Sequence, residues 1–124
     1  MLVVTALPEM GEKVLVCKRN LASLYPGCWE FPSAVCEEGS LLEDVMDYEL
    51  FDRLGVISAE CEPYCCFSLA GNMESRHVAY KVVLSSKKII PNGYDACNWV
   101  SINKLHKFRM VPHCVMLVKE LQKK

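Results

Sequence analysis

Residues 29–56 decide the fold, and they read WEFPSAVCEEGSLLEDVMDYELFDRLGV. The opening residues predict a short extended segment, because Pro32 disfavours helical backbone at the residue before it. Apolar residues at helical spacing then predict a helix over 41–54, with Ser40 as its N-cap and Glu43 at the capping-box position. The glycine that follows the last turn is a common helix stop. The stretch therefore predicts a strand, a loop and a helix in succession.

A helical wheel divides the side chains of the predicted helix into two faces. The core-facing arc contains Leu41, Leu42, Val45 and Met46, and the opposite, solvated side contains Glu43, Asp44 and Asp47. Glu49, Asp52 and Arg53 fall inside the apolar arc, where an unpaired charge is costly to bury. Glu49 and Arg53 have the i, i+4 spacing of a simple ion pair. A cavity lined by all three side chains is the alternative.

Strand and helix patterns continue on both sides of this stretch. Upstream, apolar runs predict two strands at 2–6 and 13–18, joined by a connection over 7–12 that contains a proline and a glycine. Downstream, strand-like runs occupy 64–68, 77–84 and 97–102. A terminal helix is predicted over 112–122, with one face made of Val111, Cys114, Val115, Val118 and Leu121. This order predicts an α/β domain with a mixed sheet and helices packed on it.

The composition limits the classes of protein that fit. The chain has 124 residues, 52% of them hydrophobic and 23% charged, which suits one globular domain and excludes a disordered chain. Lys and Arg total 14 against 15 Asp and Glu, and the net charge of −1 gives no field for duplex nucleic acid or an anionic membrane. No apolar run reaches the roughly 20 residues of a membrane span. The N-terminus lacks the basic start of a signal peptide. We expect a cytoplasmic protein with no membrane or duplex nucleic-acid partner, and the oligomeric state is not predicted.

Eight cysteines are many for this length, and they lie at positions 17, 28, 36, 61, 65, 66, 97 and 114. Structural zinc sites commonly show two close pairs of ligands, whereas this chain has one loose group between 61 and 66. Several other cysteines lie in strand-like apolar runs, where a thiol packs as a small hydrophobe. Reduced, buried thiols are therefore favoured over a zinc site or a disulfide framework.

Three segments together resemble the sequence signature of the Nudix family: Trp29–Pro32, Glu37–Gly39 and Tyr48–Val56. The family pattern is G-x5-E-x7-R-E-U-x-E-E-x-G-U, usually introduced by W-E-F-P-G, and the spacing here matches it without a gap. The opening strands, segments 76–78 and 98–100, and the closing helix are also similar to the family. The resemblance, nearest to the MutT group, implies a Nudix-type α/β/α sandwich with a mixed β-sheet. It also implies a single Nudix-like domain over residues 1–124.

In that family, helix carboxylates hold Mg²⁺ or Mn²⁺ against a pyrophosphate and activate water. The resemblance implies Glu49 as a catalytic residue and metal ligand, with Asp52 as a second, weak ligand. Other positions depart from the pattern: Ser33 and Ala34 replace glycines, Ser40 and Arg53 replace glutamates, Tyr48 replaces an arginine, and Asn98 replaces an acid. Arg53 thus places a cation where a metal ligand is expected. We therefore expect the pyrophosphohydrolase activity to be weak or lost.

The resemblance also implies a nucleotide ligand. Arg19, Phe31 and Arg76 match positions where MutT-like relatives contact a nucleotide, Phe31 through its backbone. Arg53 is a fourth candidate contact, as a phosphate counter-charge in place of the metal. We expect binding of nucleoside di- or triphosphates, with Mg or Mn as cofactor only if the domain is active.

Two alternatives stay open. One is an active pyrophosphohydrolase with a rearranged metal site, which acids such as Glu37, Glu38 and Asp95 would complete. The other is a Nudix-fold interaction module without activity. The three histidines, His77, His106 and His113, have no metal-ligand spacing and are interpreted as structural or solvated.

Overall fold

Strands and helices fill most of the chain, and the computed structural model describes residues 1–71 and 74–123. Within these residues the strands are β1 (Leu2–Met10), β2 (Lys13–Arg19), β3 (Trp29–Glu30), β4 (Ser33–Cys36), β5 (Ser58–Leu69), β6 (Ser75–Leu84) and β7 (Tyr94–Ser101). The helices are α1 (Leu42–Leu54), α2 (Pro112–Gln122) and a 3₁₀ helix over Ile102–Lys107. In the described part of the chain, no helix is both long enough and apolar enough to cross a membrane.

The sheet is organised around β1. This strand pairs in parallel with β6, from Leu2↔Arg76 to Pro8↔Val82, and antiparallel with β4. β5 pairs antiparallel with β6. The last residues of β1 pair instead with β2, which also pairs antiparallel with β3 and β7. The predicted mixed sheet is therefore confirmed.

A helix covers each face of the sheet. Side chains alternate between the faces of a strand, so Val16 of β2 joins the core beneath α2 and Leu15 joins the core beneath α1. The buried side of α1 consists of Met46, Leu50 and Leu54, and that of α2 of Cys114, Leu117, Val118 and Leu121. Complete burial of one such aliphatic side chain stabilises the fold by about 1.5–3 kcal/mol. The predicted α/β/α sandwich is confirmed.

The start of α1 differs from the prediction, whereas its end does not. Leu41 occupies the N-cap position with extended backbone and no side-chain cap bond, so the prediction of a Ser40 cap and a capping box was wrong. Ser40 belongs to the preceding turn, where its N–H donates to the Glu37 carbonyl at 3.1 Å. Gly55 ends the helix as predicted, with a φ of +73° that a residue without a Cβ adopts readily.

Side chains of both helices lie on a different face from the predicted one, and Leu41, predicted in the core-facing arc, is 69% exposed. Asp47 is half-buried rather than solvated, because its Oδ1 accepts hydrogen bonds from the Ser58 N–H at 3.0 Å and the Ser58 hydroxyl at 2.7 Å. These bonds tie α1 to the start of β5. Val115 of α2 is 40% exposed, and Leu117 is fully buried on the core side of that helix instead.

The connection predicted over 7–12 is a much tighter hairpin. β1 continues to Met10, and Gly11 and Glu12 alone form the turn. Pro8 therefore lies within a strand, although proline cannot donate to a ladder. The position is tolerated because β4 pairs only with residues 2–5 of β1, so β1 has already passed the end of β4 there.

Other strand limits also differ from the predicted ones. β5, β6 and β7 each begin earlier than the runs at 64–68, 77–84 and 97–102, and β4 forms where a loop was expected. All eight cysteines are unbridged thiols, and Cys17, Cys28, Cys36 and Cys114 are buried.

Candidate functional site

A cavity of about 420 Å³ opens between β1, β4, the segment after β2, and the facing parts of α1 and α2. Its charged end contains Arg19, Glu30, Glu49 and Arg53. Its remaining wall combines apolar side chains, among them Leu24, Tyr25 and Val35, with two histidines, His77 and His113. A concave site with a charged end and an apolar wall suits a small molecule that has a charged part and an apolar part.

Two ion pairs occupy the charged end. Arg53 Nε lies 3.5 Å from Glu49 Oε2 along α1, which is the i, i+4 pair that the sequence offers. Arg19 Nη1 lies 3.2 Å from Glu30 Oε1. The Tyr94 hydroxyl donates to the other oxygen of Glu30 at 2.7 Å. Each cavity carboxylate is therefore matched with an arginine.

Burial and the arginines act on these carboxylates in opposite directions. Burial raises the pKa of Glu30, while the Tyr94 hydroxyl, Arg19 and Arg53 oppose this rise. Burial likewise raises the pKa of Glu49, with Arg53 opposing it and the charges of Asp52 and Glu30 adding to it. Both glutamates therefore accept a proton more readily than an exposed glutamate does.

The guanidinium of Arg53 is held by more than its ion pair. It lies over the Tyr94 ring, 5.2 Å from the ring centroid, in a cation–π contact. The guanidinium also lies close to Gly93, where a Cβ would be 2.8 Å from Arg53 Nη1. Gly93 has a φ of +82°, so both its backbone and its missing side chain make room for this arginine. Arg53 is therefore positioned by α1 and by the start of β7.

The cavity is also lined by His77 and His113, which belong to a stack of rings that no sequence pattern indicated. His77 stacks on His113 with ring centroids 5.1 Å apart, and Phe67 stacks on the other face of His77 at 4.8 Å. Burial lowers the pKa of His77, and burial with the nearby charges of His77 and Arg19 lowers that of His113 to about 4. Both rings are therefore neutral near pH 7.

Each histidine of the stack also contacts a serine. His113 Nε2 lies 3.0 Å from the Ser33 hydroxyl, and His77 Nε2 lies 2.9 Å from the Ser75 hydroxyl. Ser33 occupies a position where the Nudix pattern has glycine, and its hydroxyl also contacts Thr5 at 2.8 Å. Ser33 is thus part of β4, and its side chain contacts His113. Ser75 and His77 lie two residues apart on β6, so strand alternation predicts that their side chains share one face of the sheet.

Three of the predicted site residues line the cavity, and three do not. Glu49, Arg53 and Arg19 line it. Asp52 is exposed on α1 and absent from the lining, so the helical wheel placed it on the wrong face. Arg76 is exposed because it alternates with the inward-facing Ser75 and His77. Phe31 is fully buried in the core beneath α2, its N–H donates to Cys114 Sγ at 3.4 Å, and its carbonyl accepts from the Ser33 hydroxyl.

A divalent metal does not fit the donors that the cavity presents. Mg²⁺ and Mn²⁺ favour oxygen ligands, several of them carboxylates. Among the residues that the structure describes, no three His, Cys, Asp or Glu side chains form a group that could hold a metal ion. Glu30 and Glu49 each face an arginine at salt-bridge distance. The acids considered as replacements, Glu37, Glu38 and Asp95, are exposed and outside the cavity lining.

Comparison with known proteins identifies the fold. No family model matches the sequence, and no curated protein matches it either. Solved structures match nearly the whole chain. The E. coli ORF135 protein is 21% identical, with a TM-score of 0.84 over 96% of this chain and 86% of its own. A MutT Nudix hydrolase from Burkholderia pseudomallei is 16% identical, with a TM-score of 0.82 over 98% of this chain and 97% of its own.

A third similar structure contains a ligand. The Nudix domain of Shewanella oneidensis NrtR, in complex with ADP ribose, is 18% identical to this chain, with a TM-score of 0.78 over 97% of this chain and 84% of its own. Likeness at these identities establishes the fold. The chain has the Nudix fold, in the form of an α/β/α sandwich on a mixed sheet, as the sequence resemblance implied.

Proposed function

We propose that this protein is a MutT-like Nudix-fold domain that binds nucleoside di- or triphosphates in the cavity and hydrolyses them weakly or not at all. The observation that carries the proposal is the pairing of both cavity carboxylates with arginines, Arg53 with Glu49 and Arg19 with Glu30. The positive charge that a metal would bring to a pyrophosphate is here part of the chain.

The phosphate end of the ligand is assigned to the two arginines. A guanidinium has five N–H donors and pairs well with phosphate oxygens. Arg53 contacts Glu49 through Nε, and Arg19 contacts Glu30 through Nη1, so each arginine has further N–H groups to offer. The raised pKa values of Glu30 and Glu49 favour proton uptake when an anion draws the arginines toward itself. Phosphate binding is therefore coupled to protonation of the glutamates.

The nucleoside end is assigned to the apolar wall. Leu24 is 72% exposed and Tyr25 is 45% exposed although both line the cavity, so each has surface to cover with a ligand. Tyr25 has a φ of +58°, a backbone conformation that costs a non-glycine residue about 1–3 kcal/mol. Aromatic rings stack on nucleobases with about 1–3 kcal/mol per base. The structure of the similar NrtR domain with ADP ribose supports a nucleoside diphosphate derivative as the ligand class.

Weak or absent hydrolysis follows from the same charges. Water activation in this fold relies on a divalent ion, and a dication would meet two guanidinium groups at this site. The two guanidinium charges cancel the attraction that Glu30 and Glu49 would exert on a dication, so these four side chains present no net negative charge to hold one.

A second candidate function is a pyrophosphohydrolase with a rearranged metal site. It is favoured by the presence of Glu30 and Glu49 in one cavity, where the charge of Glu30 helps to raise the pKa of Glu49. Such a site requires both arginines to leave their carboxylates when Mg²⁺ or Mn²⁺ enters. Phosphate release from a nucleotide panel with either metal separates this candidate from the proposed binding domain.

The proposed binding is tested by thermal shift with ADP, ATP and ADP ribose in EDTA. The wild-type protein should gain stability with at least one of them, because a ligand that binds the folded state raises Tm. Arg53→Ala should lose that gain, since one or two charge-assisted hydrogen bonds correspond to about a ten- to hundredfold loss of affinity. The matched control is Arg109→Ala, because Arg109 is exposed and outside the cavity lining. Equal ligand-induced shifts in both variants would contradict the proposal, and no shift in the wild type would favour an interaction module.

A further inference from the structure

Two cysteines face each other across neighbouring strands behind the charged end of the cavity. Cys17 of β2 and Cys97 of β7 are direct partners in the antiparallel register. Their Sγ atoms lie 3.3 Å apart, within hydrogen-bond distance of sulfur. No local sequence pattern indicates this pair, since the two residues lie in strands far apart in the chain.

Backbone geometry permits a bond between the two sulfurs. Directly opposed residues of an antiparallel pair have Cα atoms about 4.5–5.5 Å apart. A disulfide requires Cα atoms about 4.4–6.8 Å apart. The bond therefore needs a side-chain adjustment of the two thiols, and the strands keep their register.

The two thiols differ in solvent exposure. Cys17 is fully buried, whereas Cys97 is half-buried. A small oxidant reaches Cys97 first, and the buried Cys17 is already beside it to complete the reaction. Such a pairing of an accessible thiol with an adjacent resolving thiol is typical of reversible cysteine oxidation.

We propose that Cys17 and Cys97 form a reversible intramolecular disulfide when the protein meets a peroxide. Cys97 sulfur attacks one peroxide oxygen, the O–O bond breaks, and one water leaves, so that Cys97 becomes a sulfenic acid. Cys17 sulfur then attacks Cys97 sulfur, the S–O bond breaks, and the departing hydroxide takes the Cys17 proton as a second water. Two thiols and one hydrogen peroxide thus yield one disulfide and two waters, and an added dithiol reverses the change.

The location connects this pair to the cavity. Cys17 is also the direct cross-strand partner of Glu30 in the pairing of β2 with β3. A bond from Cys17 to Cys97 therefore ties β7, which carries Tyr94, to the strand beside Glu30. The oxidation site does not depend on the proposed nucleotide ligand.

Trypsin mapping tests the pair without ambiguity. Cleavage after lysines releases residues 14–18 and 89–104, and each peptide contains one cysteine, Cys17 or Cys97. The native protein is treated with hydrogen peroxide, remaining thiols are alkylated, and the digest is analysed by mass spectrometry with and without dithiothreitol. The expected result is a linked 14–18/89–104 species about 2 Da lighter than the sum of the reduced peptides, which dithiothreitol abolishes.

Variants supply the control. Cys97→Ser should abolish the linked species, and Cys17→Ala provides a second variant because a buried serine in place of Cys17 carries a risk of misfolding. Cys66→Ser is the matched control, because Cys66 is the exposed cysteine of β5 and lies in neither peptide. Linkage of either peptide to a different cysteine in the wild type, or conversion of Cys97 to a sulfinic acid while Cys17 stays alkylated, would overturn the proposal.

Discussion

Mild acid is expected to destabilise the folded protein through His113. Burial, together with the charges of His77 and Arg19, lowers the pKa of His113 from 6.5 to about 4. In the unfolded chain this histidine takes up its proton near pH 6.5, so between these values the unfolded state binds one proton more. The stabilising contribution is therefore complete above about pH 6.5 and is lost as the pH falls through about 4. A difference of about 2.5 pKa units corresponds to about 3.4 kcal/mol at 1.36 kcal/mol per unit.

The assay is urea unfolding of the wild type and His113→Gln between about pH 7 and pH 4. Glu30 and Glu49 act in the opposite direction, because their raised pKa values give stability at low pH that is lost as the pH rises. Both proteins share that contribution, so the difference between their free energies of unfolding isolates His113. The free energy of unfolding of the wild type minus that of His113→Gln should therefore fall by about 3 kcal/mol between about pH 7 and pH 4. The control is His106→Gln, whose side chain is exposed. A difference that does not change with pH, or a His113 pKa near 6.5 by NMR, would refute the reasoning.

Further perturbations test the packing and the charges. Leu50→Ala should lower the free energy of unfolding by about 2–5 kcal/mol, because Leu50 is 0% exposed in the core beneath α1. In the same urea titration Val115→Ala should change it by less than about 0.5 kcal/mol, since Val115 is 40% exposed. Gly93→Ala should weaken nucleotide binding measured by calorimetry, because its Cβ would lie 2.8 Å from Arg53 Nη1, and an unchanged affinity would mean that this guanidinium does not contact the ligand. Nucleotide affinity should rise as the pH falls toward the ordinary pKa range of glutamate, because the cavity glutamates take up protons on anion binding, and an affinity that falls with acidification would argue against this coupling.

Local signals in the sequence predicted much of the fold. The glycine stop at Gly55 and the apolar spacing of α1 depend on residues within a few positions of one another, and both agree with the structure. Several failures involve contacts that a local pattern does not record. Asp47 is half-buried because of Ser58. The hairpin is tight because β1 continues beyond Pro8 and pairs with β2 through Glu9 and Met10, although proline locally predicts a loop.

The candidate site also combines features that local sequence predicted with features that it did not. Glu49 and Arg53 belong to one helix, so their pairing was visible from an i, i+4 spacing. Asp52 was misplaced because the wheel assigned a broad apolar arc to a helix whose buried stripe is narrow. His77 of β6 and His113 of α2 stack because these two elements pack together, and no sequence pattern links the two residues. The histidine stack depends on tertiary packing, and therefore no sequence pattern predicts it.

The central claim is that arginines of the chain occupy the place of a catalytic metal. Isothermal titration calorimetry with ADP or ATP, in EDTA and then in excess Mg²⁺ or Mn²⁺, tests it most directly when product formation is followed in the same samples. We expect that the ligand binds in EDTA with an affinity that either metal changes little, that Arg53→Ala removes this binding, and that phosphate or pyrophosphate release stays weak or undetectable. Binding that requires Mg²⁺ or Mn²⁺ and proceeds to rapid hydrolysis by the wild-type protein would contradict it.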